Sequence, residues 1–516
     1  MASCTAVGVA PGATYIDLLT RRLRASGGAP VLTFRGRAIG ADAFLATIHR
    51  YARALAARGV ERSSVVALLA PNAPDAIAVR YAANLLGAAT CYLSAPPSEA
   101  ARAALIRQIA PSLLVVLPDT LRLLPAGIDL PTMAVGDCGP SFARLDAAAA
   151  GQSGEPLECR ARPDDLAVIV SSGGSTGVPK GSCRDFARYT CMAAAPSPPD
   201  RRQLVNGHLA YLSEVLVDMT LIGGGTVVLR DEVDAADTLA QIQAERITDL
   251  FLVEPQLFEL MDHPGLPRTD LSSLRSLVHI GASAPPVLRR RARQRLGPVV
   301  VHTYGASEQG LISVLPPGAS EPEAFASAGR ILPAVRLRLR RADGGLAATG
   351  EPGVIETSSP AMAQGYRNQP ELTSHAFRDG WFHSGDLGLI DAEGRLHILG
   401  RADDIASAGG RLVTPAGIED TLCRLASVRY AVLVPDPERG RRVAAVEAWP
   451  GGAVDAAACR QAVAAEHGAE VAGSLVLAPV GRVPRTEQGK PDREAIRALG
   501  SRPASGATAG GPPPGQ

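Results

Sequence analysis

The sequence predicts an α/β fold with a large N-terminal domain of layered sheets and helices and a small α+β C-terminal domain. Two observations predict this architecture. The chain has 516 residues, which is more than one hydrophobic core usually supports. Helical and strand-like apolar patterns also alternate through the first part of the chain, as they do where helices cover a sheet.

The N-terminal pattern predicts individual elements. In order, these are helix 15–26, strand 31–34, helix 41–58, strand 65–69, helix 73–86, strand 166–170, strand 226–229, helix 235–245, strand 249–253, strand 277–280 and strand 299–302. Residues 335–340 alternate strictly between apolar residues and arginine. That alternation predicts a half-exposed strand in a more antiparallel region.

The domain boundary is predicted at the polar segment 400–404, which follows a strand at 396–399. We therefore expect an N-terminal domain over residues 1–399 and a C-terminal domain over residues 405–500. The elements expected in the second domain are helix 415–425, strand 430–434, strand 443–449, helix 455–466, strand 474–477 and a last helix with Pro491 in its first turn and Gly500 at its end. Residues 501–516 are mostly Gly, Pro, Ala and Ser, which predicts a disordered tail.

Composition argues against several classes of partner. Acidic and basic residues are interleaved at a formal net charge of +1, so no basic surface for nucleic acid or an anionic membrane is indicated. No apolar stretch reaches the length of a membrane span and no signal-like segment is present, so we expect a soluble cytoplasmic protein. The eight cysteines are scattered without a C-x-x-C pair, which argues against a zinc site and fits a reducing compartment.

Lysine is almost absent from the chain. Only two of the 52 positions occupied by Lys or Arg are lysine, namely Lys180 and Lys490. Both lie in loop-like segments, 171–181 and 484–493. Because lysine is a compact point charge and arginine a planar fork, a site that needs one cation among oxygen atoms cannot exchange them. The two lysines are therefore candidate functional residues.

The first lysine segment has the composition of a phosphate-binding loop. It follows a predicted strand and combines glycines with hydroxyl groups, which donate hydrogen bonds to phosphate oxygens. The candidate residues are Ser172, Gly174, Ser175, Thr176, Gly177 and Lys180. It is not a Walker loop, because Pro179 and Gly181 flank the lysine.

Two other interpretations of this segment remain open. Residues 173–177 match the G-x-S-x-G nucleophile elbow of serine hydrolases. An elbow must lead directly into a helix, however, and Gly177, Pro179 and Gly181 disfavour one. The segment could also be an ordinary flexible surface loop.

Five motifs in the same order resemble those of the acyl-adenylate-forming superfamily, which includes acyl-CoA synthetases, luciferases and peptide-synthetase adenylation domains. The five are the phosphate loop 172–181, Tyr304-Gly305-Ala306-Ser307-Glu308, the segment 380–386, the segment 400–404 and the lysine loop 484–493. Ser replaces the usual Thr in the second and third motifs, and Gly173 replaces a usual Ser in the first. The resemblance spans residues 172–493.

The resemblance implies a nucleotide site. Glu308 offers a hard oxygen ligand for Mg²⁺, and the Ser307 hydroxyl adds a phosphate contact. Tyr304, next to Gly305, packs on the adenine face in this interpretation. Asp386, which is expected in a loop flanked by glycines, accepts hydrogen bonds from both ribose hydroxyls, and Arg401 reaches the same sugar. Taken alone, each of these residues would more often be an ordinary turn or core residue.

Lys490 is implied to be the catalytic cation. A carboxylate that attacks the α-phosphate brings two anions together, and a cation between them stabilises the transition state. In the family the small domain rotates between two half-reactions about a hinge, here 400–404, in which Asp403 matches the hinge position. The alternative is that Lys490 is a solvated surface lysine.

The acid and the acceptor are weakly encoded. The same resemblance makes His208 and the loop residues Gly281 and Ala282 candidates for the pocket wall; the alternatives are an ordinary core or surface histidine and a simple turn. The Phe-Asp pair that anchors an α-amino group is absent. After the hinge, residues 405–410 lack the usual Ile-Lys pair, and Gly417 replaces a common Glu. These departures put the transfer half-reaction in question.

The sequence therefore predicts an ATP- and Mg²⁺-dependent carboxylic acid ligase that forms an acyl-AMP and pyrophosphate. Coenzyme A is the favoured acceptor. An amine or a carrier-protein thiol is the closest alternative, through the same acyl-AMP. From other classes, a serine hydrolase and a non-catalytic nucleotide-binding relic remain as alternatives.

Overall fold

The structure is a computed structural model that describes residues 12–94, 96, 98–172, 180–280, 284–319, 321–408 and 411–501. The predicted tail beyond residue 501 therefore lies outside the described residues. The described chain forms two compact units. Apart from two short segments, the larger unit extends to Ile398 and the smaller unit begins at Leu399.

The helices are α1 (Tyr15–Ser26), α2 (Ala41–Ala56), α3 (Pro74–Leu85), α4 (Glu99–Ile109), α5 (Leu145–Ala150), α6 (Phe186–Ala193), α7 (Glu214–Gly223), α8 (Ala235–Ala244), α9 (Glu254–Asp262), α10 (Pro286–Leu296), α11 (Pro370–Ala376), α12 (Pro415–Cys423), α13 (Ala456–His467), α14 (Ala469–Gly473) and α15 (Arg493–Leu499).

The strands are β1 (Pro30–Phe34), β2 (Arg37–Gly40), β3 (Val65–Leu69), β4 (Ala89–Tyr92), β5 (Leu113–Val116), β6 (Thr132–Ala134), β7 (Ala143–Arg144), β8 (Leu166–Ser172), β9 (Lys180–Asp185), β10 (Arg202–Val205), β11 (Thr226–Leu229), β12 (Asp249–Leu252), β13 (Ser276–His279), β14 (Val300–Ala306), β15 (Gly310–Leu315), β16 (Arg330–Ile331), β17 (Arg336–Arg340), β18 (Gly353–Ser358), β19 (Gly365–Tyr366), β20 (Phe377–Arg378), β21 (Trp381–Ile390), β22 (Leu396–Arg401), β23 (Ala406–Ala408), β24 (Arg411–Val413), β25 (Tyr430–Asp436), β26 (Arg441–Glu447) and β27 (Leu475–Val480).

The larger unit contains two sheets that are mainly parallel. One has the strand order β19-β9-β8-β4-β3-β5-β6-β7, and the other has the order β16-β15-β14-β13-β12-β10-β11-β1-β2. Strands β3 and β5 are buried along their whole length, as parallel strands covered on both faces should be. The predicted fold class is confirmed.

A third sheet of the larger unit is antiparallel. Its order is β17-β18-β21-β20, and β22 pairs with β21. Strand β17 contains most of the alternating arginine segment and pairs antiparallel with β18. The strand predicted from that alternation is confirmed, since only one of its faces is buried deeply.

Local signals set several helix ends. Helix α1 covers the predicted range because Thr14 and Asp17 form a capping box at its start. The last helix was predicted to include Pro491, and this is wrong. Helix α15 starts at Arg493, because the Asp492 side chain caps it by accepting a hydrogen bond from the Ala495 N–H.

A charged cluster is buried within the helices of the larger unit. Both Arg80 terminal nitrogens donate to the Asp218 carboxylate at 2.8 Å, and the Arg80 Nε lies 2.5 Å from Glu214. The hydroxyls of Tyr81 and Tyr189 also donate to Asp218, at 2.5 and 2.7 Å. Two carboxyl groups thus share one guanidinium in a site that is almost fully buried.

The smaller unit has a two-stranded sheet, β23-β24, and a three-stranded sheet, β25-β26-β27. Strand β26 pairs antiparallel with β25 and parallel with β27. Helices α12 and α15 both pack on this three-stranded sheet. In the described part of the chain, no helix is long and apolar enough to cross a membrane.

Candidate active site

The motif that contains Tyr304 and Glu308 lies at the end of the parallel part of the second sheet. Strand β14 runs parallel to β13 through His302, and the chain then turns back through residues 307–309 into antiparallel β15. Gly305 allows this tight return, because a Cβ there would lie 2.5 Å from the Gly310 carbonyl oxygen. The turn presents Ser307 and Glu308 at the carboxyl edge of the sheet, where ligands bind in open α/β folds.

Glu308 is held by both its side chain and its backbone. The Tyr366 hydroxyl donates a hydrogen bond to Glu308 Oε1 at 2.7 Å. The Ala363 N–H donates to the Glu308 carbonyl oxygen at 2.7 Å. The Glu308 carboxylate therefore has a defined orientation before any ligand binds.

Arg184 supports the same turn from the first sheet. Its Nη2 donates to the Ser307 carbonyl oxygen and its Nε to the Ala361 carbonyl oxygen, both at 2.7 Å. Burial lowers the pKa of the Arg184 guanidinium to about 10, and the charge of Glu308 opposes that shift. Nothing in the sequence identified Arg184, because its partners are backbone atoms far along the chain.

Lys180 lies next to the residue that holds Glu308. Strand β19 pairs with β9, so that Tyr366 is opposite Ser182, two residues beyond Lys180. The Lys180 Nζ is 5.5 Å from the centre of the Tyr366 ring, within the range of a cation–π contact. Tyr366 thus contacts two predicted site residues, and no sequence pattern had indicated it.

Tyr304 and Asp386 are also brought together. The Tyr304 hydroxyl donates to Asp386 Oδ2 at 2.5 Å, across 82 residues of sequence. Asp386 was expected in a loop, and this is wrong: it lies in strand β21, at an irregularity in the pairing of β21 with β18. Gly385 has φ +73°, and the Ser384 hydroxyl accepts a hydrogen bond from the Asp386 N–H at 3.0 Å. The strand bulge, rather than a loop, presents the carboxylate.

His208 lies at the entrance to a π-helical turn, Leu209–Ser213, a feature that is frequent at functional sites. Its side chain is exposed, yet the surrounding protein is dense enough to lower the pKa of the imidazole, while the charge of Glu232 acts in the opposite direction.

Asn72 clamps the backbone on both sides of His208. Its Nδ2 donates to the Gly207 and Arg230 carbonyl oxygens at 2.9 Å, and its Oδ1 accepts from the Leu209 N–H at 3.0 Å. Asn72 is buried, so these hydrogen bonds satisfy it without water. Asn72 falls between the predicted strand 65–69 and the predicted helix 73–86, and the sequence did not indicate this role.

The connection from Ser172 to Lys180 argues against the serine hydrolase alternative. Strand β8 ends at Ser172 and pairs antiparallel with β9, with Ser172 opposite Lys180. A nucleophile elbow connects a strand to a helix, whereas this segment connects two antiparallel strands. The candidate residues Gly174, Ser175, Thr176 and Gly177 of this segment, and Gly281 and Ala282 of the pocket loop, lie outside the described residues.

The smaller unit contains Lys490, Arg401 and Asp403. The lysine loop is closed by backbone hydrogen bonds, from the Thr486 N–H to the Lys490 carbonyl oxygen and from the Asp492 N–H to the Pro484 carbonyl oxygen, both at 2.8 Å. Arg401 is the last residue of β22, and Asp403 lies in a short 3₁₀ turn, Ala402–Asp404.

The Glu308 carboxylate could hold a metal ion together with the phosphates of a bound nucleotide. Within the described ranges, no group of three or more His, Cys, Asp or Glu side chains could bind a metal on its own. Glu308 fits Mg²⁺, which is usually bound by one or two carboxylates together with nucleotide phosphates. The Tyr366 hydroxyl binds Oε1 of the Glu308 carboxylate and orients it. A carboxylate oriented in this way is suited to bind Mg²⁺ together with phosphate oxygens.

Comparison with known proteins identifies the family. The family model described as AMP-binding enzyme matches residues 19–367. The chain belongs to the AMP-binding enzyme family. This membership confirms the resemblance predicted from the five motifs. The protein is an acyl-adenylate-forming ligase that uses ATP.

Relatives of this AMP-binding enzyme include ligases with different acceptors. The medium/long-chain-fatty-acid–CoA ligase FadD8 of Mycobacterium tuberculosis is 31% identical over 510 residues, which cover 93% of this chain and 89% of that protein. Feruloyl-CoA synthase of an Amycolatopsis species is 32% identical over 437 residues, covering 81% and 85%. The structure of the amide bond synthetase McbA from Marinactinospora thermotolerans aligns with a TM-score of 0.83 at 30% identity, covering 94% of this chain and 99% of that one.

Proposed function

We propose that this enzyme activates a carboxylic acid with ATP and transfers the acyl group to the thiol of coenzyme A. The observation that carries the proposal is the convergence of Lys180 and Glu308 on Tyr366, which joins the phosphate loop to the Tyr304–Glu308 motif. A cation and a hard carboxylate in one place suit the two requirements of a nucleotide triphosphate, charge neutralisation and metal ligation.

In the first half-reaction, a carboxylate oxygen of the acid attacks the α-phosphorus of ATP. The new bond joins that oxygen to phosphorus, the bond to the β-phosphate oxygen breaks, and pyrophosphate leaves. Lys490 neutralises the charge between the two anions, and Lys180, with the Ser307 hydroxyl and the loop residues 172–177, binds phosphate oxygens. Mg²⁺, when bound at Glu308, would neutralise charge on the leaving pyrophosphate.

The nucleoside is held by other residues in this proposal. Tyr304 packs against adenine next to Gly305, and Asp386 and Arg401 bind the ribose hydroxyls. The proximity of Tyr304 and Asp386 supports an adenosine site, because both groups lie within the span of one nucleoside. His208, with Gly281 and Ala282, lines the acid pocket, and Asp403 serves as the hinge for the second half-reaction.

In the second half-reaction, the coenzyme A sulfur attacks the acyl carbon of the acyl-AMP. A thioester forms, the bond from the acyl carbon to the phosphate oxygen breaks, AMP leaves and the thiol proton is released to solvent. Similarity to a fatty-acid–CoA ligase and to a feruloyl-CoA synthase supports this acceptor.

A second candidate acceptor is an amine, which would give an amide. Similarity to an amide bond synthetase across nearly the whole chain favours it. The absence of the usual Ile-Lys pair after the hinge and Gly417 in place of a common Glu agree with an altered second half-reaction. The first half-reaction is the same in both cases.

Acid-dependent exchange of labelled pyrophosphate into ATP tests the shared step. We expect exchange with a subset of a panel of aliphatic and aromatic acids, and none without acid. A protein that bound ATP but catalysed no exchange with any acid of the panel would be a nucleotide-binding relic. For each active acid, product analysis with coenzyme A and with a set of primary amines then identifies the acceptor.

A further inference from the structure

Tyr366 is fixed between the two charged residues of the phosphate region. It is 7% exposed, and it lies in β19 at the edge of the first sheet. The Tyr366 N–H donates to the Thr373 hydroxyl at 2.9 Å, and its ring makes an edge contact with Phe377 at 5.5 Å. The backbone packs tightly here, since a Cβ at Gly365 would lie 2.5 Å from a Thr373 methyl group.

The two functional ends of Tyr366 contact opposite charges. The ring receives the Lys180 ammonium 5.5 Å from its centre, and the hydroxyl donates to the Glu308 carboxylate at 2.7 Å. Within the described residues, Lys180 and Glu308 form no ion pair with each other, and each instead contacts Tyr366. In a direct ion pair the two charges would neutralise each other instead of binding a ligand, because an ammonium and a carboxylate in a partly buried site attract strongly.

We propose that Tyr366 is a positioning residue that keeps Lys180 and Glu308 apart and correctly oriented, so that one is available to phosphate and the other to Mg²⁺. This inference rests on the proposed function and adds a residue that acts through two others. The phenol is suited to the task because its face attracts a cation and its hydroxyl binds an anion. Outer contacts of this kind commonly change metal affinity by about 10- to 100-fold when they are removed.

Two substitutions separate the contributions of the hydroxyl and the ring. Tyr366→Phe keeps the ring next to Lys180 and removes only the donor to Glu308. Tyr366→Leu removes both contacts and allows Lys180 and Glu308 to approach. The phenylalanine variant carries the main test, since it changes a single atom and should retain the fold.

Tyr51→Phe is a matched control. The Tyr51 hydroxyl donates to the Asp75 carboxylate at 2.7 Å, the same distance as in the pair Tyr366–Glu308, and Tyr51 is 3% exposed. It joins α2 to α3 and takes no part in the proposed nucleotide site. A loss of ATP affinity that is common to Tyr366→Phe and Tyr51→Phe would reflect the removal of any buried hydroxyl.

The measurement is ATP binding by calorimetry without acid, once with excess MgCl₂ and once with EDTA. For Tyr366→Phe we expect ATP affinity in EDTA within about twofold of wild type, and a gain on adding Mg²⁺ that is about tenfold smaller. Tyr366→Leu should also lose affinity in EDTA, because Lys180 is then drawn to Glu308. Tyr51→Phe should match wild type in both conditions.

Three results would overturn the inference. They are an unchanged Mg²⁺ gain in Tyr366→Phe, an equal loss of affinity with and without Mg²⁺, and the same pattern in Tyr51→Phe. If wild-type protein itself bound no ATP, the proposed function would fail instead. Thermal unfolding of each variant verifies that the binding data refer to folded protein.

Discussion

The Tyr304 hydroxyl donates a hydrogen bond to Asp386 Oδ2 at 2.5 Å, so the residue proposed for adenine and the residue proposed for ribose are already joined. The bond orients the carboxylate and leaves the tyrosine ring face as a separate surface. Since both residues lie in strands, at β14 and β21, the pair is supported by two sheets. The proposed nucleoside site is thus organised before a nucleotide binds.

Tyr304→Phe should raise the KM for ATP about fivefold and change kcat less than twofold, because one orienting hydrogen bond to a charged group is lost while the ring remains. Steady-state kinetics of pyrophosphate exchange at varied ATP measures this. In an Asp386→Asn background, the same change should have little further effect. Additive effects of the two changes would show that the hydrogen bond does not act through Asp386.

Lys490→Ala should reduce acid-dependent exchange about 1000-fold or more, because the cation stabilises charge that develops in the transition state. Lys490→Arg should not restore the rate, since a planar guanidinium cannot replace a compact ammonium. Lys180→Ala serves as the comparison, and we expect it mainly to raise the KM for ATP. Equal loss of kcat from both alanine variants would contradict the separate roles.

Asn72→Ala should weaken acid binding, because it releases the backbone around His208. We expect the KM for the acid to rise about tenfold with the KM for ATP nearly constant. His208→Ala in the same assay identifies whether both changes act on one pocket. A rise in the KM for ATP instead would mean that the clamp serves the nucleotide site.

Stability should fall as pH rises between about 4.5 and 7 because of Glu214. Burial raises the pKa of this carboxyl to about 7, although Arg80 opposes the shift. A carboxyl with a raised pKa in the folded state favours folding while protonated, so its contribution is lost as pH rises through that window and is constant above it. Glu214→Gln should reduce the difference in the free energy of unfolding between pH 5 and pH 7.5 by about 1–3 kcal/mol.

Urea unfolding of wild type and Glu214→Gln at the two pH values provides this measurement. Other groups titrate in the same window, so the quantity of interest is the difference between the two proteins rather than either slope. Parallel pH profiles for wild type and Glu214→Gln would show that Glu214 is ionised throughout. The cluster would then be two carboxylates that share Arg80 as charged groups.

Local sequence patterns predicted an element correctly where the spacing of apolar residues within one segment determines its structure. Helix α1 was predicted to the residue, because apolar spacing and the Thr14 cap act within one segment. The β21 segment around Asp386 was expected to be a loop, because glycines flank the aspartate. Pairing with β18 made it a strand, and only tertiary contacts supply that partner.

The sequence by itself determined the family, the two isolated lysines and the motif residues Glu308 and Asp386, because these are short strings whose chemistry is local. Only the tertiary structure decided that Tyr366 lies between Lys180 and Glu308, since this depends on the pairing of β19 with β9 and on a turn 58 residues earlier in the chain. It likewise joined Tyr304 to Asp386 and Asn72 to the backbone around His208. Contacts of this kind arise from strand register and packing, which no single segment of sequence encodes.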